Sequence, residues 1–383
     1  MNLSDFSDYR PIILINNIFI IGLVLTKPDT RNGFRPPIVL TADMVTRATE
    51  TLRSDGRLEA AVLSPAIHQL ILAMARLRNV VSTLRIEGEA VDLAAARRVL
   101  DTGEPRTPEE REVLLMSRAY GDLHSMARAP ELSVTYVREL HGRLFPDGIG
   151  LDAGPVGRFK TSPNGVYSLA EGRLLFEATP PERTKAEVEV LLAWLEEEAR
   201  ALPPAVAAAL FFAEFQAIHP FGDGNGRVGR FLNLVVLRRL GYRNICLVPL
   251  DGRFFRTRNR YYDALRTTNG GKNYQLWGRY YTEQLMRAYR LSVGRADLRP
   301  LLERFSRGST RSLLDWCLSS EGGWFRRADF PNVKGYSPPA ITSSLSELVR
   351  AGILEASGER RGRRYRVSTD FLRKAYGREL LTE

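Results

Sequence analysis

His219-Pro220-Phe221-Gly222-Asp223-Gly224-Asn225-Gly226-Arg227-Val228-Gly229-Arg230 is the stretch on which the reading of this chain turns. Helical patterning precedes it from Pro204 to Ile218 and resumes through Asn233, so it joins the end of one helix to the start of another. Its glycines permit a backbone turn that other residues resist, and consecutive amides at a helix N-terminus form an electropositive nest for phosphate. Asp223 supplies a hard oxygen ligand of the kind magnesium takes. Arg227 and Arg230 are three apart in the first helical turn and can address one phosphate chain with guanidinium groups that match its oxygens. His219, at the loop's entry, has the ring to accept a proton from an incoming hydroxyl near neutral pH. Taken singly, the histidine reads as a structural helix end and the glycine run as an ordinary turn. Together they place a base, a metal ligand and a phosphate cradle in one loop.

Upstream, Ile67, Leu70, Ile71, Met74, Leu77, Val80, Val81 and Leu84 form a continuous apolar helical face that stops at Gly88, which sets Glu87 at a helix C-terminus. Helical segments follow near Pro108–Met126 and Val134–Leu144, before proline and glycine break the pattern between Pro146 and Gly165. Val166, Tyr167 and Leu169, then Gly172, then Leu174, Leu175 and Phe176 read as a hairpin able to cover a cleft. Thr184–Leu202 is a further helix, and helical patterning continues to Leu285.

At 383 residues the chain exceeds what one core usually serves. The expected division is a poorly defined segment over 1–40, an N-terminal helical region over 41–130, a catalytic core over 131–295 and a small domain over 300–383. From Ser309 that last domain runs helix, short strand at Trp324–Arg326, helix at Pro338–Arg350 and two strands around Gly358 and Gly362, the order of a winged helix. The fold class is therefore mainly α, with a β-hairpin flap in the core and a small α+β domain after it.

Hydrophobic residues at 44% and charged residues at 26% exclude a fibrous or wholly disordered chain. The net charge of +11 favours an acidic partner, although only six of the 55 basic residues are lysine and so arginine-rich a bias equally reflects genome composition. Two cysteines, Cys246 and Cys317, are too few for a disulfide framework or a zinc site, which makes the cytoplasm the expected compartment. The apolar run Ile12–Leu25 is broken by Asn16 and Asn17 and is shorter than the roughly 20 residues of a spanning helix. No membrane segment is expected.

The loop resembles the motif of the Fic (filamentation induced by cAMP) family, His-x-Phe-x-Asp/Glu-Gly-Asn-Gly-Arg-x-x-Arg, at every specified position. The resemblance covers roughly residues 60–290, including the hairpin near Val166–Phe176, and implies a helical core with that hairpin over the active site. It implies a protein adenylyltransferase: a Ser, Thr or Tyr hydroxyl of a target protein attacks the α-phosphate of ATP held with Mg2+, and pyrophosphate leaves. By the same resemblance His219 is the base, Asp223 holds the metal, Gly224 to Gly226 cradle phosphate with Asn225 positioning the transferred group, and Arg227 and Arg230 contact the outer phosphates. Tyr261, Tyr262 and Asn269 resemble the nucleoside contacts, beside a plain reading as helix packing and a loop residue. Thr83-Leu84-Arg85-Ile86-Glu87-Gly88 matches the family's inhibitory pattern Ser/Thr-x-x-x-Glu-Gly/Asn, placed as in the N-terminally self-inhibited class, which implies that Glu87 pairs with Arg230.

Two alternatives stay open. Glu87 could orient water for AMP removal on the same site, or the protein could be a DNA-binding regulator whose catalytic core is secondary. Residues 300–383 carry 15 basic against 10 acidic residues, with Arg360, Arg361, Arg363, Arg364 and Arg366 in the expected wing. That wing can reach duplex phosphates while the helix from Pro338, bearing Thr342, Ser343 and Ser344, enters the major groove. Equally, the module could bind protein or form a homo-oligomer.

Overall fold

A computed structural model describes residues 25–61, 65–123, 132–152, 154–168, 173–269, 273–296, 304–319, 324–330, 335–359, 362–368 and 370–371. The apolar run before Leu25, the hairpin tip with Leu169 and Gly172, and wing residues Arg360 and Arg361 lie outside the described residues. The chain is mainly helical. Its contacts divide it into two compact units, one of residues up to Arg53 with Arg76–Ala288 and the other of Ser54–Ala75 with the chain from Tyr289.

β1 is Leu25–Thr26, in the first unit, and the helices begin with α1 (Ala42–Ala61) and α2 (Pro65–Glu87), of which the first unit holds the stretches up to Arg53 and from Arg76. The short α3 (Leu93–Thr102), which the sequence pattern did not single out, starts on the side chain of Asp92 accepting from the Ala95 amide and ends at left-handed Gly103. Thr107 caps α4 (Pro108–Gly121) in the same way with a proline in its first turn, and Ser133 caps α5 (Val134–Leu144). The hairpin is β2 (Gly165–Ser168) against β3 (Arg173–Glu177), antiparallel, with Val166 opposite Phe176. β1 adds to β3 in parallel, so the sheet order is β1-β3-β2.

Helices α6 (Pro181–Glu197), α7 (Pro204–Ile218) and α8 (Asn225–Arg239) follow. α7 is apolar on every side, and a helix of that kind must be the buried axis of its unit. All but one of the residues from Ala205 to Ile218 are buried, the exception being Gln216. α7 packs on α8, and the decisive loop is the short connection between them. α9 (Leu250–Arg256), α10 (Arg258–Arg266) and α11 (Gln275–Ala296) as far as Ala288 close the unit with an aromatic cluster of Phe212, Phe254, Tyr261, Trp277 and Tyr281. Trp277 meets the polar requirement of a buried indole by donating to the Ala209 carbonyl at 2.7 Å.

The second unit contains α12 (Gly308–Ser319), a bridge pairing Phe325 with Tyr365, α13 (Pro338–Arg350) capped by Ser337, and the hairpin of β4 (Leu354–Ser357) and β5 (Arg364–Val367). Leu313, Leu314, Cys317, Leu345, Leu348 and Leu354 are its core. The structure corrects one expectation for α13. Ser344 is fully buried, hydrogen-bonded to Ser309 at 2.9 Å and Thr310 at 3.0 Å, so it braces α12 and is not on the exposed face with Thr342. The three-in-a-row reading ignored that a helix turns by about 100° per residue.

Candidate active site

α7 ends on His219, whose backbone is left-handed at φ 53°, ψ 59°. That conformation is unusual for a residue other than glycine and turns the chain sharply out of the helix. Gly224, at φ 76°, turns it again into α8, and a Cβ there would drive into the ring of Phe145. Between the two turns Asn225 braces the loop, accepting from the Phe221 amide and donating to the Phe221 carbonyl, each at 2.8 Å. Its side chain is thereby committed to the loop itself. Phe221 is buried against His141, with ring centroids 4.1 Å apart.

His219 Nδ1 lies 3.1 Å from the carbonyl of Gln216. A carbonyl can only accept, so Nδ1 carries the proton and Nε2 keeps its lone pair in the neutral ring. Burial pushes the pKa of His219 down to about 4, with a further push from the Lys160 ammonium, against the pull of the Gln216 carbonyl and of the Glu87 and Asp223 carboxylates. At neutral pH the ring is an uncharged base.

Asp223 is half-buried; its Oδ2 accepts from the Asp152 amide at 2.8 Å and its Oδ1 from the Gly224 amide at 2.5 Å. Arg227 is tied to the Glu112 carboxylate at 2.5 Å and the Gly150 carbonyl at 2.6 Å, lies 3.6 Å from Asp223, and stacks over Phe145 at 4.6 Å. Burial raises the Glu112 pKa to about 7 even with that guanidinium beside it.

Arg230 is almost fully buried. Its Nε donates to Thr83 Oγ1 at 2.7 Å, and one terminal nitrogen donates to the Thr83 carbonyl at 3.1 Å and to Glu87 Oε1 at 2.5 Å. Glu87 and Thr83 thus meet Arg230 from one face of α2. The Glu87 carboxylate also lies against Gly226, where an added Cβ would collide with it. Tyr261 is buried in the aromatic cluster beside Arg230, and burial raises its pKa. Tyr262 donates to the Ile86 carbonyl at 2.9 Å, next to Glu87. Asn269 follows α10, half-buried, and makes none of these hydrogen bonds.

Four residues that the sequence reading passed over belong to this constellation. Glu112 holds Arg227. His141, with burial lowering its pKa, takes the Gly157 amide on Nδ1 at 3.1 Å and reaches the Asp223 carbonyl with Nε2 at 3.2 Å. Lys160 donates to the Ile218 carbonyl at 3.0 Å and to Asn164 Oδ1 at 2.7 Å. Asn164 donates to the Phe221 carbonyl at 2.7 Å. Burial lowers the Lys160 pKa to about 7. Nothing in the local spacing marks them, because their partners lie in a distant loop.

Two central helices are joined by a glycine-turned, arginine-flanked loop, with His219 at its head and a hairpin ahead of it. Residues 131–237 match the model of the Fic/DOC family, and the chain carries a Fic domain. It is 29% identical over 197 residues to a protein adenylyltransferase fic-1 of Caenorhabditis elegans, covering 49% of this chain and 36% of that one. A protein adenylyltransferase Fic of Drosophila ananassae is 28% identical over 243 residues, covering 60% and 46%. The matches therefore span less than half the length of these relatives. Among solved structures, a Fic family protein from Desulfovibrio desulfuricans G20 superposes with a TM-score of 0.60 at 22% identity, covering 88% of this chain and 99% of that one, which establishes likeness of fold.

Proposed function

We propose that the protein transfers AMP from ATP to a side-chain hydroxyl of a protein substrate and that Glu87 restrains it. The observation that carries this reading is the pair of states in one loop: a neutral His219 with Nε2 available, and an Arg230 whose donors are held by Thr83 and Glu87. The Ser, Thr or Tyr hydroxyl gives its proton to His219 Nε2 as its oxygen bonds to the α-phosphorus. The bond from that phosphorus to the bridging oxygen breaks, and pyrophosphate leaves with its charge met by the α8 amides and the arginines.

Magnesium commonly takes one or two carboxylates plus substrate phosphates, and the half-buried Asp223 fits that need. Bound there, the ion would neutralise phosphate charge.

Two further readings rest on particular contacts. The Glu87 carboxylate lies beside Gly226, and that proximity supports the reading that it orients water, with AMP removal a second activity of the same site. In the second unit, the order α12, bridge, α13, β4, β5 supports the winged-helix reading, and Arg363 and Arg364, exposed on its hairpin, support duplex DNA as a partner. A homo-oligomer is the alternative partner, and we place the protein in the cytoplasm.

Incubation with ATP labelled at the α- or γ-phosphate tests the central reading. Label should stay on protein from the α position and not from the γ position. Retention of γ-label, or of neither, overturns it.

A further inference from the structure

The left-handed turn at His219 has a support that comes from outside the motif. Four consecutive carbonyls, those of Ile218, His219, Pro220 and Phe221, face one five-residue stretch that leads into the hairpin. Lys160 Nζ donates to Ile218 at 3.0 Å and the Lys160 amide to Pro220 at 2.9 Å. Asn164 Nδ2 donates to Phe221 at 2.7 Å and to His219 at 3.4 Å. The two side chains also bind each other at 2.7 Å, so neither turns without the other. The Asn164 carbonyl accepts from the Ala178 amide at 3.1 Å, just past β3, which fixes the stretch to the base of the hairpin.

The physics of a helix end explains why a lysine sits here. The last carbonyls of α7 have no partner within the helix and carry its negative dipole end, so an ammonium is favoured there. Lys160 is 5% exposed and His219 leaves helical geometry at that same point. Water therefore cannot readily stand in for the ammonium, and a buried carbonyl left without a donor pulls the chain towards a different turn.

We propose that Lys160 and Asn164 are positioning residues for the base: they hold the backbone of residues 218–221 so that the His219 ring is fixed relative to the α8 amides. The inference rests on the proposed AMP transfer. Below about pH 7, where Lys160 is protonated, its charge also acts on the ring. Beside burial, which disfavours protonation of His219, and the Gln216 carbonyl, which favours it, the charged groups acting on the ring are Lys160 against protonation and Glu87 and Asp223 for it. Removing the ammonium leaves burial as the remaining effect against the proton.

Lys160→Met keeps the apolar stem and removes the donor; Lys160→Arg keeps charge and donors; Asn164→Asp keeps the acceptor for Lys160 but loses the donation to Phe221 and His219. Transfer kcat, the Kd of a fluorescent ATP analogue and the His219 ring titration by NMR are measured on each full-length variant that melts cooperatively. Lys160→Met should lose about 10- to 100-fold in kcat, the scale expected for a misplaced base, with nucleotide Kd within about twofold. Its His219 midpoint should rise. Lys160→Arg should recover most of the rate, and Asn164→Asp should lose rate like the methionine variant.

A folded Lys160→Met or Asn164→Asp protein with wild-type kcat, or with a changed Kd alone, overturns the assignment. Should Lys160→Met not fold, Asn164→Asp decides it. If the wild type transfers no AMP, the proposed reaction fails, and the NMR titration then judges the clamp by itself: an unmoved His219 midpoint in Lys160→Met rejects it.

Discussion

Arg227 and Glu112 form a buried ion pair, 2.5 Å between a nitrogen of the loop's first arginine and a carboxylate oxygen on α4. Arg227 stacks on Phe145 and binds the Gly150 carbonyl as well, so its guanidinium serves as a strut of the loop wall. Removing one partner of a buried pair typically costs about 3–5 kcal/mol, because the other charge is left unpaired. Above about pH 7, where Glu112 is ionised, Glu112→Ala should therefore lower the unfolding free energy by roughly that amount, as read from denaturant midpoints. A loss within the roughly 0.5 kcal/mol of an ordinary surface change would show that the pair contributes nothing.

The same carboxyl gives stability a pH dependence. The native state holds its proton up to about pH 7, whereas a glutamate carboxyl ordinarily titrates near 4.5. Between those values the native protein binds more protons than the unfolded chain, so this contribution is full below pH 4.5 and is lost as pH rises towards 7. Glu112→Gln lacks it. The stability difference between wild type and Glu112→Gln, followed by melting across this range, should shrink with rising pH; a flat difference rejects the shift.

Thr83 supplies the side-chain acceptor for Arg230 Nε in a fully buried position. Thr83→Val keeps the shape and leaves that donor unmet, which should cost about 1–3 kcal/mol of stability. Thr83→Ser should restore most of it. Equal melting of all three proteins would count against the hydrogen bond.

Much of this was legible in the sequence, and the reasons are local. α1 begins at Ala42, α5, α7 and α13 fall on their expected bounds, and the hairpin lies where period-two alternation ended in glycine, because in each case short-range pattern and fold agree. The Glu87–Arg230 pair followed from motif placement on two helices. Glu112, His141, Lys160 and Asn164 did not, since each acts on the loop from 55 to 115 positions away, and no periodicity encodes such a distance. β1 was equally silent: two residues give no alternation, and its pairing depends on β3, 151 positions on. Ser344 was misplaced by reading a helix face from consecutive residues.

His219 should set an unusual acidic limit. With its pKa near 4, the ring stays neutral well below the usual 6.5, so kcat/KM for transfer should hold nearly constant from pH 7.5 down to 5.5. A limb with its midpoint at 6 to 7 in the free enzyme would mean that the ring is solvated and unperturbed. On the stability side the sign is opposite to that of Glu112: the unfolded chain takes a proton the native ring refuses, so this contribution is lost as pH falls from 6.5 towards 4.

The second unit should show the salt signature of phosphate contact if its hairpin meets DNA. Arg363 and Arg364 are exposed, whereas Arg366 is held by Glu355 at 2.8 Å and lies over Trp324 at 4.7 Å. Arg363→Ala with Arg364→Ala should lower the slope of log affinity against log salt by about 2, nearly one per phosphate contact. An absence of any DNA shift by the full chain at low salt leaves the module to a protein partner or a second copy.

Glu87 and a nucleotide compete for one guanidinium. The pairing is through a single carboxylate oxygen, with Thr83 taking two further contacts, and a third of the Glu87 side chain is open to solvent. A charge-assisted hydrogen bond is worth about 1.5–3 kcal/mol, and that exposure favours the lower end, so freeing Arg230 should be worth roughly tenfold in transfer. Glu87→Gly removes the carboxylate without adding a competitor and keeps Thr83 in place, so the guanidinium stays positioned for phosphate. Label incorporation from α-labelled ATP should rise accordingly, while any AMP removal that depends on Glu87 falls. Adding His219→Ala should silence the double variant without weakening nucleotide binding, since the base acts on the hydroxyl and its loss typically costs about 10² to 10⁴ in rate. A Glu87→Gly protein that melts normally yet gains no label would reduce the α2 end to a structural contact. A double variant that keeps transferring would remove His219 from its role.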